Sequence, residues 1–105
     1  MTYGGLVIVV RDGENRRPIP LVTVLDVGQG TGAITNPGGI AELHRLGAGK
    51  VWLRIYNESY YSRTSTAVVQ TGRSDTLRVT MRRDRRKRPK ERMIMVDIRR
   101  PAWAW

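Results

Sequence analysis

The residues of this chain that could do chemistry are few and scattered. His44 is the only histidine among 105 residues, and there is no cysteine. A histidine that acts as a general base or holds a metal needs an orienting acid, a nucleophile or further ligands beside it. Glu42 lies two positions away, on the same side of an extended chain, so the expected arrangement is a strand histidine paired with a neighbour. Asp12-Gly13-Glu14-Asn15 brings oxygens together, but a calcium loop needs ligands spaced over a longer pattern; these, with Asp26 and Asp75, read as turn residues in water. Gly28-Gln29-Gly30-Thr31-Gly32 could pass for a phosphate cradle. Such a loop must open a helix whose N-terminus faces the phosphate, whereas here a short strand and a Pro-Gly-Gly turn follow. No catalytic residue, metal ligand, cofactor or small-molecule substrate is expected, and without cysteine there is no disulfide or thiolate chemistry.

The one strong chemical signal is charge. Residues 82–92 read Arg-Arg-Asp-Arg-Arg-Lys-Arg-Pro-Lys-Glu-Arg, and residues 82–105 carry +7 of the net +10. Residues 1–81 are nearly balanced. A run of this kind has no apolar periodicity with which to bury itself and implies an anionic partner. The expected division is therefore a folded domain over residues 1–81 and a basic docking tail over residues 82–105. In the tail, Arg82, Arg83, Arg85, Arg86, Lys87, Arg88, Lys90, Arg92, Arg99 and Arg100 would supply attraction and ion pairs. Met93, Ile94, Met95 and Val96 would supply apolar contact, by strand addition to a partner sheet, and Trp103 and Trp105 would anchor the end.

The elements that must carry this tail read as strands and turns. Leu6 to Val10 is a β-branched run closed by Asp12-Gly13. Pro18 and Pro20 hold Ile19 in extended chain, and Leu21 to Val27 follows as a strand. Ala33 to Thr35 is a short strand, and Asn36-Pro37-Gly38-Gly39 is a turn by its chemistry. Ile40 to His44 is a strand that Gly47-Ala48-Gly49 breaks. Val51, Leu53 and Ile55 alternate with Trp52, Arg54 and Tyr56, so the two sets lie on opposite faces. Thr64 to Gln70 is a further strand, and in Thr76 to Met81 the residues Leu77, Val79 and Met81 face inward. Seven short strands at this spacing make the fold all-β, a seven-stranded antiparallel sandwich. Roughly 80 residues suffice for its core. No apolar run approaches the length of a membrane span and no secretory leader is visible, so the expected location is cytoplasmic or peripheral at a membrane.

From Pro18-Ile19-Pro20-Leu21-Val22-Thr23-Val24, through Gly32-Ala33-Ile34-Thr35-Asn36-Pro37-Gly38-Gly39-Ile40, to the stretch from Leu43 to Ile55 and Tyr60, the chain resembles the carboxypeptidase regulatory-like domain, a transthyretin-like (prealbumin-like) sandwich. Ser59 stands where that family has a glycine. The resemblance covers residues 5–81 and implies a non-catalytic accessory module. A transthyretin-like hydrolase of purine metabolism would have several histidines and a Tyr-Arg-Gly-Ser terminus; one histidine and a Trp-Ala-Trp end exclude it. An intramolecular Lys–Asn isopeptide bond would need a lysine on an early strand, and the only lysines are Lys50, Lys87 and Lys90.

The resulting expectation is a non-enzymatic accessory subunit docked by its tail onto a larger protein assembly, first of all the cytoplasmic face of a membrane-protein complex, with anionic lipid headgroups as a further contact. A nucleic-acid-associated protein of ribosomal type, its tail on the phosphate backbone, is the alternative. A carbohydrate- or wall-binding module using Trp52 and Tyr56 is a third reading; burial of those aromatics, with Tyr60 and Tyr61, against the sandwich competes with it equally.

Overall fold

The computed structural model describes residues 2–86. The apolar run near the N-terminus becomes the long strand β1 (Tyr3–Asp12), in which Leu6, Ile8 and Val10 are buried on one side. Side chains alternate across a strand, and the same period puts Leu43 of β4 (Ile40–Gly47) and Val79 and Met81 of β7 (Ser74–Met81) into the interior. These three strands form one sheet in the order β4-β1-β7. The second sheet has the order β3-β2-β5-β6, from β3 (Gly32–Ile34), β2 (Thr23–Asp26), β5 (Gly49–Tyr56) and β6 (Arg63–Val69). Val51, Leu53 and Ile55 are buried while Trp52, Arg54 and Tyr56 are exposed, as the alternation of β5 requires. The inward residues of both sheets form one cluster with Ile19, Val22 and Tyr60. The result is the expected seven-stranded β-sandwich, with no helix among the described residues.

One feature of the topology differs from the antiparallel expectation. The ladder between β1 and β7 is parallel, running from Gly5–Ser74 to Asp12–Met81, whereas the other ladders are antiparallel. Parallel neighbours need a long crossover, and here the crossover is the rest of the domain, since β1 and β7 are its first and last strands. The Gly47-Ala48-Gly49 break joins strands of different sheets, not a hairpin within one. Gly49 takes a φ of 118° there, which favours glycine.

Local chemistry fixes the turns that aim these strands. The Asn36 Oδ1 accepts from the amides of Gly38 (2.9 Å) and Ile40 (3.1 Å). Gly39 has a φ of 75°, and a Cβ there would lie 2.6 Å from the carbonyl oxygen of Val10. The register of β1 against β4 slips so that His44 and Arg45 together stand opposite Gly5, a bulge that turns Arg45 outward after His44 and returns Leu46 to the core. The His44 Nε2 lies 3.8 Å from Glu42 Oε1, both side chains in solvent.

The packed chain continues beyond β7. The Tyr61 amide donates to the Arg82 carbonyl (2.8 Å) and the Asp84 amide to the Ser59 carbonyl (2.9 Å), with Tyr60 and Arg83 paired as an antiparallel bridge. Asp84 is only 6% exposed. Ser59 is not among the positive-φ residues of the described chain, so this turn needs no glycine. No helix among the described residues is long and apolar enough to cross a membrane.

Candidate docking site at the root of the basic segment

β1 ends at Asp12 because that side chain turns the chain. Its Oδ1 accepts from the amides of Glu14 (2.8 Å) and Asn15 (3.4 Å), the local hydrogen bonding that makes aspartate a turn residue. Its Oδ2 accepts from the Tyr60 hydroxyl at 2.7 Å, across the buried end of the sandwich. Arg83 Nη2 then donates to that hydroxyl at 3.0 Å, its guanidinium 5.0 Å from the centre of the Tyr60 ring. The same Nη2 lies 3.9 Å from Asp12 Oδ2. Asp12 is thus spent on a turn and on an aspartate–tyrosine–arginine chain.

The electrostatics follow from this order. The Tyr60 hydrogen bond first, then the Glu14 amide, hold the Asp12 carboxyl below its ordinary value, against the opposite pull of burial. Burial first, then the hydrogen bond to Asp12, push the Tyr60 phenol above its ordinary value. Tyrosine neutral and aspartate charged is therefore the stable state of the pair across the neutral pH range.

The neighbouring arginines are paired in the same way. Arg85 Nη2 reaches both carboxylate oxygens of Glu14, at 2.8 and 2.7 Å. Asp84 Oδ1 accepts from the Arg86 amide at 3.0 Å and from its Nε at 3.5 Å. Arg86 Nη2 donates to the Tyr61 hydroxyl at 3.2 Å. Arg82 and Arg86 both lie against the Tyr61 ring, at 5.6 and 5.8 Å from its centre. Of the residues expected to bind a partner, Arg82, Arg83, Arg85 and Arg86 are thus brought together on the sandwich, each with an intramolecular contact. Lys87, Arg88, Lys90, Arg92, Met93, Ile94, Met95, Val96, Arg99, Arg100, Trp103 and Trp105 lie outside the described residues.

The other aromatics divide. Tyr60 is buried; Trp52 (53% exposed) and Tyr56 (41%) stand on the outer face of the four-stranded sheet. There Lys50 Nζ lies 4.9 Å from the centre of the Trp52 ring. Ile34, Val27 and Val68 are also exposed on this sheet or at its rim. Sequence reasoning missed Asp12, Glu14 and Asp84 as the partners of the arginines. Asp84 stood inside the basic run as the only visible signal; the other two are 71 or so positions away in the chain.

No family model matches the chain, and no curated protein sequence matches it. Solved structures share its fold. A chain of a type II cohesin–X-dockerin complex from Acetivibrio cellulolyticus is 21% identical with a TM-score of 0.62, over 74% of this chain and 56% of that one. The Bacillus anthracis TIE protein is 20% identical with a TM-score of 0.64, over 78% of this chain and 17% of that one. The C-terminal domain of the Caf1A usher is 19% identical with a TM-score of 0.52, over 76% of this chain and 98% of that one. The chain spans about half of the first of these and a smaller part of the second. At such identities the likeness establishes the β-sandwich, and the resemblance to the carboxypeptidase regulatory-like domain reaches as far as that fold.

Proposed function

We propose that the chain is a non-enzymatic docking module, a rigid sandwich that presents its basic C-terminal segment to an acidic surface on a larger protein assembly. The observation that carries this reading is the clamp at the root: Asp84 is buried and Arg83 is locked to Tyr60 and Asp12. A segment leaving from a fixed point loses less freedom on binding than one hung from a loose linker. In this reading the domain runs to Arg86 and the docking segment is residues 87–105, with six basic and two acidic residues. The cohesin–dockerin and usher contexts of similarly folded domains support an interaction role. A membrane-associated host rests on Trp103 and Trp105, which favour apolar pockets and membrane interfaces.

Affinity capture with the full chain, beside versions ending at Arg86 and at Met81, tests the reading. The full chain is expected to hold its partners and to release them in high salt. The version ending at Arg86 should fold and lose them, and the version ending at Met81 should also lose stability. Equal capture by the full chain and the version ending at Arg86 rules the docking segment out.

A further inference from the structure

A second cluster of arginines sits on the sandwich itself, apart from the root. Arg11 of β1, Arg16 of the following turn, Arg63 of β6 and Arg78 of β7 line one groove of about 270 Å³, with Val9 and Thr80 also on its wall. Val9 and Arg78 are partners in the parallel ladder, as are Arg11 and Thr80, so these four residues lie side by side on the outer face of the three-stranded sheet. The parallel pairing of first and last strand is what assembles the groove from segments far apart in the chain.

Neutral acceptors, not carboxylates, hold its cations. Arg11 Nη1 donates to the Arg16 carbonyl at 3.2 Å, and Arg63 Nη1 to the Thr80 carbonyl at 2.6 Å. Among the described residues none of the four guanidinium groups forms an ion pair. Asp12 and Glu14, the carboxylates of the adjoining turn, are committed to Tyr60 with Arg83 and to Arg85. Like charges gathered in one concave place repel, and a bound anion relieves that repulsion. The cluster is all arginine, whose planar fork matches tetrahedral and planar oxyanions. A backbone carbonyl fixes a guanidinium while leaving its charge intact, so Arg11 and Arg63 are preorganised without being neutralised.

We infer that this groove binds a multivalent phosphate-class oxyanion, a phosphate or pyrophosphate group that is free or carried on a larger molecule. It does so independently of the basic segment beyond Arg86. The site reads charge and oxyanion geometry.

The test is titration of the full chain with inorganic phosphate and pyrophosphate at constant ionic strength, followed by amide NMR shifts. The variant is the double substitution Arg16→Gln with Arg78→Gln. Neither side chain makes an ion pair among the described residues, so the variant is expected to fold as the parent does. Saturable shifts are expected at residues 9–16, 63 and 78–80, stronger for pyrophosphate. The double variant should lose at least roughly tenfold in affinity, the scale of one charge-assisted hydrogen bond. Vesicles of phosphatidylcholine containing phosphatidic acid, used as a competitor, identify the source: displacement of pyrophosphate indicates a lipid headgroup, and no displacement a soluble phosphate. Shifts confined to residues beyond Arg86, or equal affinity in the double variant, overturn the assignment.

Discussion

Two groups of arginines on one small sandwich differ in what holds them. At the root, Arg83, Arg85 and Arg86 meet Asp12, Glu14 and Asp84, with Tyr60 and Tyr61 interleaved. In the groove, among the described residues, Arg11 and Arg63 donate to carbonyls and none of Arg11, Arg16, Arg63 and Arg78 pairs with a carboxylate. A cation paired with a buried carboxylate is spent on structure, because removing either partner leaves the other unsatisfied. One held by a carbonyl keeps its field for a ligand. Positive charge in the sequence therefore does not locate the available charge in the fold.

The largest expected effect is at Asp12. Asp12→Ala removes the acceptor of two turn amides and of the Tyr60 hydroxyl, and should cost about 3 kcal/mol in urea unfolding. A loss within the scatter of surface substitutions would mean that the root is not a structural clamp. Acid should act through the same group. Its carboxyl titrates below the ordinary value of 3.8 in the folded chain, so the stability it contributes is whole above that value and drains away as pH falls further. Asp12→Asn should flatten the stability curve in that acid range and leave it unchanged near neutrality in shape.

Smaller effects sharpen the contrast. Arg83→Gln removes a donor to the Tyr60 hydroxyl and a cation over its ring, and should cost about 1 kcal/mol. Arg85→Ala breaks an ion pair in solvent, with side chains 67% and 61% exposed, and should cost about 0.5 kcal/mol or less. Arg78→Gln should cost nothing measurable, or stabilise slightly by relieving repulsion in the groove. Thermal unfolding of this series at low and high salt orders the residues; a groove variant as damaging as Arg83→Gln would erase the distinction.

Much of the scaffold was legible because its signals are local. The alternation of Val51, Leu53 and Ile55 with Trp52, Arg54 and Tyr56 fixed β5 and its faces, and the Asn36-Pro37-Gly38-Gly39 chemistry fixed the turn into β4. The pairing of β1 with β7 left no such mark, because nothing near either strand specifies a partner some 70 positions away. The root and the groove depend on that pairing and on the Asp12–Tyr60 contact across 48 positions. Arg82 to Arg86 read as the start of a tail for the same reason: a run of charge hides one buried aspartate, and only the fold shows Asp84 against Ser59.

That Arg83 at the root is structural while the groove arginines stay available is decided by pyrophosphate-dependent thermal unfolding of the full chain beside Arg83→Gln and Arg78→Gln. Arg83→Gln should lower the midpoint without ligand and keep the stabilisation by pyrophosphate, while Arg78→Gln should keep the midpoint and lose the stabilisation. The reverse pattern, or equal behaviour of the two variants, would contradict this division.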